Sequence, residues 1–323
     1  AFILILIFLA LFAYLFIPDK TPLANQMYLE LALKKPGTKI SFIEIPKKNE
    51  IKSDPFSEFF FGAPLKYARI PIDSISNDMS YYKYNSQLTN KLPDNYIITE
   101  STFWFGTDRF GRDLLSRIIY AIRVSLSVGF IAVTISLIIG VFLGLIAGYY
   151  RGVIDSIIMW LVNVVWSIPT LLMVIAITVS LGKGFWQIFI AVGLTMWVEV
   201  ARVVRGQVIS ARELEYVQAG KILGYNSFRI MFKHILPNII GPIIVISAAN
   251  FASAILIEAG LSFLGIGVQP PTPSWGGMIK DHYAYIIMDK AYLAVLPGTF
   301  IMLTVLSFML LGNGVRDAFD VKS

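Results

Sequence analysis

The chain has 323 residues, 56% of them hydrophobic and only 15% charged, with a formal net charge of +6. Soluble domains average about 25% charged residues, so an ordinary globular protein is excluded. The mean hydropathy of +0.69 and apolar runs of bilayer length mark an integral membrane protein. The absence of cysteine excludes disulfides, thiolate metal sites and cysteine nucleophiles.

The first apolar run, 1–17, has no small-residue cleavage pattern ahead of Pro18 and Asp19. It reads as a truncated first transmembrane helix rather than a signal peptide. Residues 18–104 then form an extracytoplasmic insertion. Between 18 and 100, 11 Lys and Arg face 10 Asp and Glu, with eight prolines and the aromatic runs PFSEFFFGAP and SYYKYN. A disordered linker has few aromatics, so a small folded region with short strands is expected. Two roles stay open for it: contact with a substrate-delivering partner, or a lid on its own membrane domain.

Residues 105–323 read as a core of five further spans. In GTDRFGRDLLSR the alternation of Asp108, Arg109, Arg112, Asp113 and Arg117 predicts an interfacial helix with local ion pairs. Apolar runs follow at 126–149, 154–181, 185–204, 239–266 and 291–311. The prediction is an all-α polytopic membrane protein with six transmembrane helices.

One set of span ends carries Arg151, Arg202, Arg205, Arg212, Lys221, Arg229, Lys233, Arg316 and Lys322. The other carries Lys183, Lys280 and Lys290 beside Asp281 and Asp289. Basic residues collect on the cytoplasmic side, so the first set and both termini are placed inside. This also explains the net charge without nucleic acid.

Gly140, Gly144 and Gly148 recur every fourth residue, a spacing that lets helices approach closely in lipid. Pro169 should kink the third span or free a carbonyl. Candidate pathway or gate residues are Asn163, Ser167, Pro169, Asn250 and Glu258, with Glu199 and Ser253 also polar within the spans. Arg202 lies three residues after Glu199, which predicts a structural ion pair. Glu258 either faces solvent or caps the GLSFLG turn.

A polar loop, 206–237, interrupts the apolar pattern with EYVQAGKILGYNSF. Tyr216, Gly220 and Leu223 are expected on one helical face with Val217 beside them. Ala219 and Gly220 would leave that face shallow. Gly224 should end the helix in a left-handed turn, and Asn226 or Ser227 should cap a second helix over 228–236. Pro237 then opens span five.

EYVQAGKILGYNSFRIMFKHILPN resembles the EAA loop of ABC importer permeases. Gln218, Ala219 and Gly220 stand at the Glu-Ala-Ala positions, Gly224 at the glycine, and Leu236-Pro237 at the Leu-Pro. Gln for Glu and Gly for the second Ala depart from the pattern. FGTDRFGRDLLSRIIYAIRVSL, GLIAGYYRGVID, EAGLSFLGIGVQPPTPSWGGMI and LTVLSFMLLGNGVRDAFD are similar to the C-type permease subunit of dipeptide and oligopeptide ABC transporters. The likeness covers roughly 104–320 and leaves most of the insertion aside.

The resemblance implies a type I ABC importer permease fold in the bacterial cytoplasmic (inner) membrane. It implies a second permease, of the B type, two ATPase subunits, an extracytoplasmic peptide-binding protein and a peptide substrate. Glu215, Gln218, Ala219, Gly220, Gly224 and Pro237 would couple to the ATPase. Gly106, Asp108, Gly111, Arg112 and Asp113 would form an outer gate or docking element, against the plainer reading of a helix at the headgroups. ATP and Mg would sit in the partner chains. In this chain no nucleotide site is expected, because Gly182-Lys183 and Gly220-Lys221 lack the Ser or Thr of a P-loop, and no metal, because only His234 and His282 could serve as imidazole ligands and no HExxH occurs. Alternatives are a permease for nickel or a glycopeptide, and a non-transporting receptor. An intramembrane enzyme would need a nucleophile–base pair or two aspartates in the spans, and the sequence offers neither.

Overall fold

A computed structural model describes residues 1–47, 54–72, 74–75, 81–84, 87–91, 95–182 and 184–319, with the backbone alone for the short stretches between 74 and 91. Lys183 and Lys322 of the orientation tally, and the side chains of the tyrosine-rich SYYKYN run, lie outside the described residues.

Most of the chain is helical. In lipid every backbone N–H and C=O must be satisfied internally, and an apolar sequence does this as helix. In chain order the helices are α1 (Phe2–Leu11), α2 (Ala13–Phe16), α3 (Pro55–Phe61), α4 (Leu114–Tyr150), α5 (Gly152–Trp166), α6 (Thr170–Leu181), α7 (Phe185–Ala211) and α8 (Glu215–Ile222). They continue with α9 (Ser227–Arg229), α10 (Ile240–Phe263), α11 (Trp275–His282) and α12 (Tyr292–Phe319).

Among the described residues four helical stretches are long and apolar enough to cross a membrane: α4, α7, the run Ser227–Phe263 and α12. The α5–α6 pair passes the same test as a broken span, which makes five. The sixth expected span corresponds to α1, ten residues long, short of the roughly 20 a bilayer crossing needs.

The insertion departs from a purely helical picture. Strands β1 (Thr38–Pro46), β2 (Tyr67–Ile72) and β6 (Ile97–Phe103) form an antiparallel sheet ordered β2-β1-β6, and β3 (Ser74–Ile75), β4 (Tyr81–Tyr84) and β5 (Gln87–Lys91) form a second, ordered β3-β4-β5. On β1, Phe42 and Ile43 are fully buried. Phe42 packs with Tyr28 and Phe103 at ring-centroid distances of 5.0 and 6.4 Å. The expected 18–104 region belongs to a larger compact unit, Leu4–Val124 with Pro270–Gly298.

The other unit comprises Ala1–Ile3, Ser125–Gln269 and Thr299–Ser323. Here the glycine stripe of α4 meets α7. A Cβ at Gly140 would lie 2.5 Å from Val200 Cβ, one at Gly144 2.7 Å from the Ala201 carbonyl, and one at Gly148 2.7 Å from Val208 Cβ. The stripe is therefore a packing device, as its spacing suggested. Pro169 also does what was expected. The break over 167–169 bends α5 against α6 by 87°. Proline lacks an N–H and disfavours helical backbone at the residue before it.

Two expected boundaries shift. The second span does not begin near 126, since α4 runs unbroken from Leu114. The second helix of the polar loop is not a plain 228–236 helix ending at Pro237. After α9 comes a π-helical turn, Ile230–Ile235, and a 3-10 turn, Leu236–Ile239, before α10. Pro237 has no N–H to donate, and the irregular winding around it accommodates the missing bond.

Candidate functional site

The α8 loop begins with Glu215 in the first turn of its helix, where a negative charge meets the positive end of the helix dipole. The turn after α8 closes on Gly224. Tyr225 N donates to Gly220 O and Gly224 N to Lys221 O, both at 3.0 Å. With φ +72° at Gly224, this is the Schellman arrangement that satisfies the last carbonyls of a helix. Asn226 caps the next helix, its Oδ1 accepting from Arg229 N at 2.7 Å.

The face assignment needs correction. Val217 is fully buried and Gly220 is buried too. A Cβ at Gly220 would meet Tyr225 Cδ2 at 3.5 Å and Ile230 Cγ1 at 3.9 Å, so its small size serves the loop's own packing. The outward face instead carries Glu215, Tyr216, Ala219, Ile222 and Leu223. Spacing alone put Tyr216, Gly220 and Leu223 together. The tight turn after Gly224 brings Tyr225 and Ile230 over the Gly220 side and leaves Tyr216 and Leu223 in solvent.

Val217 ties α8 to the spans. It belongs to one buried cluster with Leu145 of α4, Val204 and Val208 of α7, Ile230 and Ile235 of the π-helical turn, and Ile243 of α10. Gln218 adds a polar tie, its Nε2 donating to the Arg212 carbonyl at the end of α7 at 3.1 Å. Arg212 Nη1 donates in turn to the Tyr149 carbonyl at 2.5 Å. The Val217 cluster and the Gln218 bond thus anchor α8 to the ends of the long helices. His234 stacks on Tyr225 at 5.5 Å, and Arg229 covers that ring at 3.9 Å. The sequence places Val217 only beside the Tyr216 face and does not single out Tyr225. The i, i+3 pair Val217–Gly220 was the available signal.

A second constellation surrounds the α5–α6 bend. A cavity of about 330 Å³ is lined by Trp166, Thr170, Thr195, Glu199, Ser253 and Leu256 among others. The expected Glu199–Arg202 ion pair does not form. Arg202 Nη2 donates to Asn163 Oδ1 at 2.7 Å, and its guanidinium lies 3.9 Å from the Trp166 ring centroid. Ser167 Oγ donates to the Asn163 carbonyl at 2.7 Å. Asn163, Ser167 and Pro169 are thus brought together at the bend. Asn250 and Glu258 are buried within α10. Glu258 does not face solvent; its Oε1 accepts from Ser262 Oγ at 2.6 Å, and Ser262 Oγ accepts from Val268 N at 3.1 Å, which fastens the turn after α10.

The outer motif is not helical ahead of Leu114, and Gly106, Asp108, Gly111, Arg112 and Asp113 are buried while Arg109 is exposed. Gly106 to Asp113 form a tight turn ahead of α4, bridged between Thr107 and Asp113. Asp108 is 1% exposed. Its carboxylate accepts from Phe110 N at 2.8 Å, Arg112 N at 3.0 Å and Arg112 Nε at 2.6 Å. Arg112 Nη1 and Arg117 Nη1 reach Asn25 Oδ1 at 3.0 and 3.4 Å. Gly106 and Gly111 have φ +76° and +72°, and a Cβ at Gly111 would overlap the Tyr28 carbonyl. Asp113 starts α4 by accepting from Ser116 N at 2.8 Å. Burial pushes the Asp113 carboxyl up to about 6, against the lowering pull of the Ser116 hydrogen bonds. The alternating charges signalled ion pairs correctly: Arg112 and Arg117 meet Asp108 across the turn, at 2.6 and 3.8 Å, and Arg109 pairs with Asp281 at 3.1 Å rather than along a helix.

Apolar spans, one of them broken at a proline, with an anchored polar loop make a polytopic membrane protein, and its family makes it a transport component. The chain belongs to the family described as binding-protein-dependent transport system inner membrane component, whose model matches residues 140–322. It is a non-catalytic permease subunit. It is 46% identical over 219 residues to the dipeptide transport system permease protein DppC of Alkalihalophilus pseudofirmus, covering 68% of this chain and 72% of that one. It is 42% identical over 219 residues to the oligopeptide transport system permease protein OppC of Bacillus subtilis, with the same coverage. Its fold is like a chain of the inward-facing MetNI methionine ABC transporter, at TM-score 0.52 and 18% identity, over 64% of this chain and 96% of that chain.

Proposed function

We propose that this chain is one of two permease subunits of an ATP-driven peptide importer in the bacterial cytoplasmic membrane, with both termini inside. The second permease is a different, B-type chain, and a peptide-binding protein delivers substrate from outside. Two ATPase subunits bind ATP and Mg. The peptide substrate rests on the dipeptide and oligopeptide permeases that share 42–46% identity.

The coupling role rests on one observation: α8 presents Ile222 at 86% and Leu223 at 67% exposure while Val217 is sunk among the ends of α4, α7 and α10. Exposed apolar side chains on a polar loop mark a partner surface. A helix anchored on one side by a buried cluster can transmit what a partner does on the other. ATP-driven closure of the ATPases would move α8 and, through the Val217 cluster, bias the spans between two arrangements. Glu215, Gln218, Ala219, Gly220, Gly224 and Pro237 then shape the docked helix rather than react. The outer turn at Gly106, Asp108, Gly111, Arg112 and Asp113 would brace the outer face where the binding protein docks. The path would pass the α5–α6 bend at Asn163, Ser167 and Pro169, beside α10 with its buried Asn250 and Glu258.

The test is purification of the assembled complex with its binding protein, mass spectrometry of the bound ligand, and ATP-dependent uptake of that ligand into proteoliposomes. A bound peptide taken up on ATP addition is the expected result. A metal or a sugar in its place overturns the peptide reading.

A further inference from the structure

Glu199 sits near the middle of the 27-residue span α7 and is exposed. A carboxylate at that depth is costly against hydrocarbon and calls for a cation or an aqueous path. The natural neutraliser one turn on, Arg202, is turned away to Asn163 and Trp166. Among the described residues, no ion pair includes Glu199.

The carboxylate opens instead on the cavity of about 330 Å³ beside the 87° bend, within the size range of small-ligand sites. The cavity wall is mostly apolar, with Trp166, Leu256 and Met173, and the hydroxyl-bearing residues Thr170, Thr195 and Ser253 also line it. Thr195 Oγ1 spends its proton on the Val192 carbonyl at 2.8 Å, so it is left as an acceptor. One carboxylate with acceptor hydroxyls suits a group that carries three N–H donors and one positive charge. A divalent cation would draw on more carboxylates than this cavity offers.

We propose that Glu199 binds a primary ammonium group, the α-amino end of a transported peptide, in this cavity. The proposal rests on the peptide reading above. Its chemistry suits a carrier of many peptides, since the terminal ammonium is the one cation they share whatever their side chains. Bend, α7 and α10 together form the wall, so a change in the bend would alter the ammonium's surroundings.

The test uses the assembled complex of both permeases and ATPases, without the binding protein, and the probes Ala-Ala and N-acetyl-Ala-Ala. Wild type should bind the free amine about tenfold tighter, the effect of one charge-assisted hydrogen bond. Glu199→Gln should abolish that preference, and Glu199→Asp should restore part of it. Equal affinity of wild type for the two probes, or a preference that persists in Glu199→Gln, overturns the proposal. So does loss of co-purification of the two permeases in Glu199→Gln, which would make Glu199 a partner contact. Uptake of Ala-Ala by wild type with its binding protein is measured in parallel. No uptake fails the peptide reading, whereas uptake with equal probe affinities fails the Glu199 site alone.

Discussion

Asp155 and Arg205 form a two-pronged ion pair, with Arg205 Nε and Nη2 donating to the two carboxylate oxygens at 2.5 and 2.6 Å. It clamps the first turn of α5 to the last third of α7, on the same span ends that carry the α8 loop. The bent span and the loop are therefore joined at α7 by a charged clamp, and by Arg151 Nη2, 3.1 Å from Glu213 just before α8. Asp155→Ala should leave Arg205 half-buried without its partner and cost about 3 kcal/mol or less, given its partial exposure. The complex should melt several degrees lower, and Asp155→Glu should recover part of the loss.

Gly224→Val should uncouple ATP hydrolysis from uptake. A Cβ there meets nothing within 4 Å, but φ is +72°. The strain is in the backbone alone, about 2 kcal/mol for a β-branched residue. The Schellman turn would open and α8 would lose its fixed pose. Gly224→Asn, which tolerates this conformation, should keep most uptake. Normal uptake per ATP by Gly224→Val would rule out the coupling role of the turn.

Ile222→Glu tests docking without touching the core, because Ile222 is 86% exposed. The chain should insert and fold as before while binding to the ATPases weakens by about tenfold or more, the effect of losing a central interface anchor. Pull-down of the ATPase with solubilised permease measures it. Undiminished binding would remove α8 from the interface.

Gly144→Leu should separate α4 from α7. A Cβ alone would stand 2.7 Å from the Ala201 carbonyl and from Val204 Cβ, and a backbone carbonyl cannot yield. A cost of about 1–3 kcal/mol is expected, with Gly144→Ala in the same direction and smaller. Thermal unfolding of the purified complex reads the difference.

Asp113 gives a pH dependence with a definite sign. Its folded-state carboxyl is raised from 3.8 to about 6, first by burial. The favourable contribution is present in full below pH about 4 and is lost as pH rises through about 6, up to about 3 kcal/mol for a shift near two units. Asp113→Asn should remove this component. Between pH 4 and pH 7.5 the melting temperature of wild type should fall further than that of the variant. Parallel profiles would contradict the raised value.

Much of this protein follows from local chemistry that a sequence displays by itself. Apolar runs must be helical in lipid, Gly140, Gly144 and Gly148 must face a neighbour, Pro169 must break a span, and Gly224 must turn left-handed. Each is decided within a few residues. What only the tertiary structure decided were the choices among partners. Arg202 had Glu199 one turn away but took Asn163 and Trp166. Asp108 and Arg112 paired inside a buried turn against Asn25 rather than along a surface helix. Gly220 was claimed by Tyr225 and Ile230, so Ile222 and Leu223 became the outward face of α8. Periodicity fixes which side chains share a face, but burial and charge pairing depend on contacts far along the chain, and those form only once the helices pack.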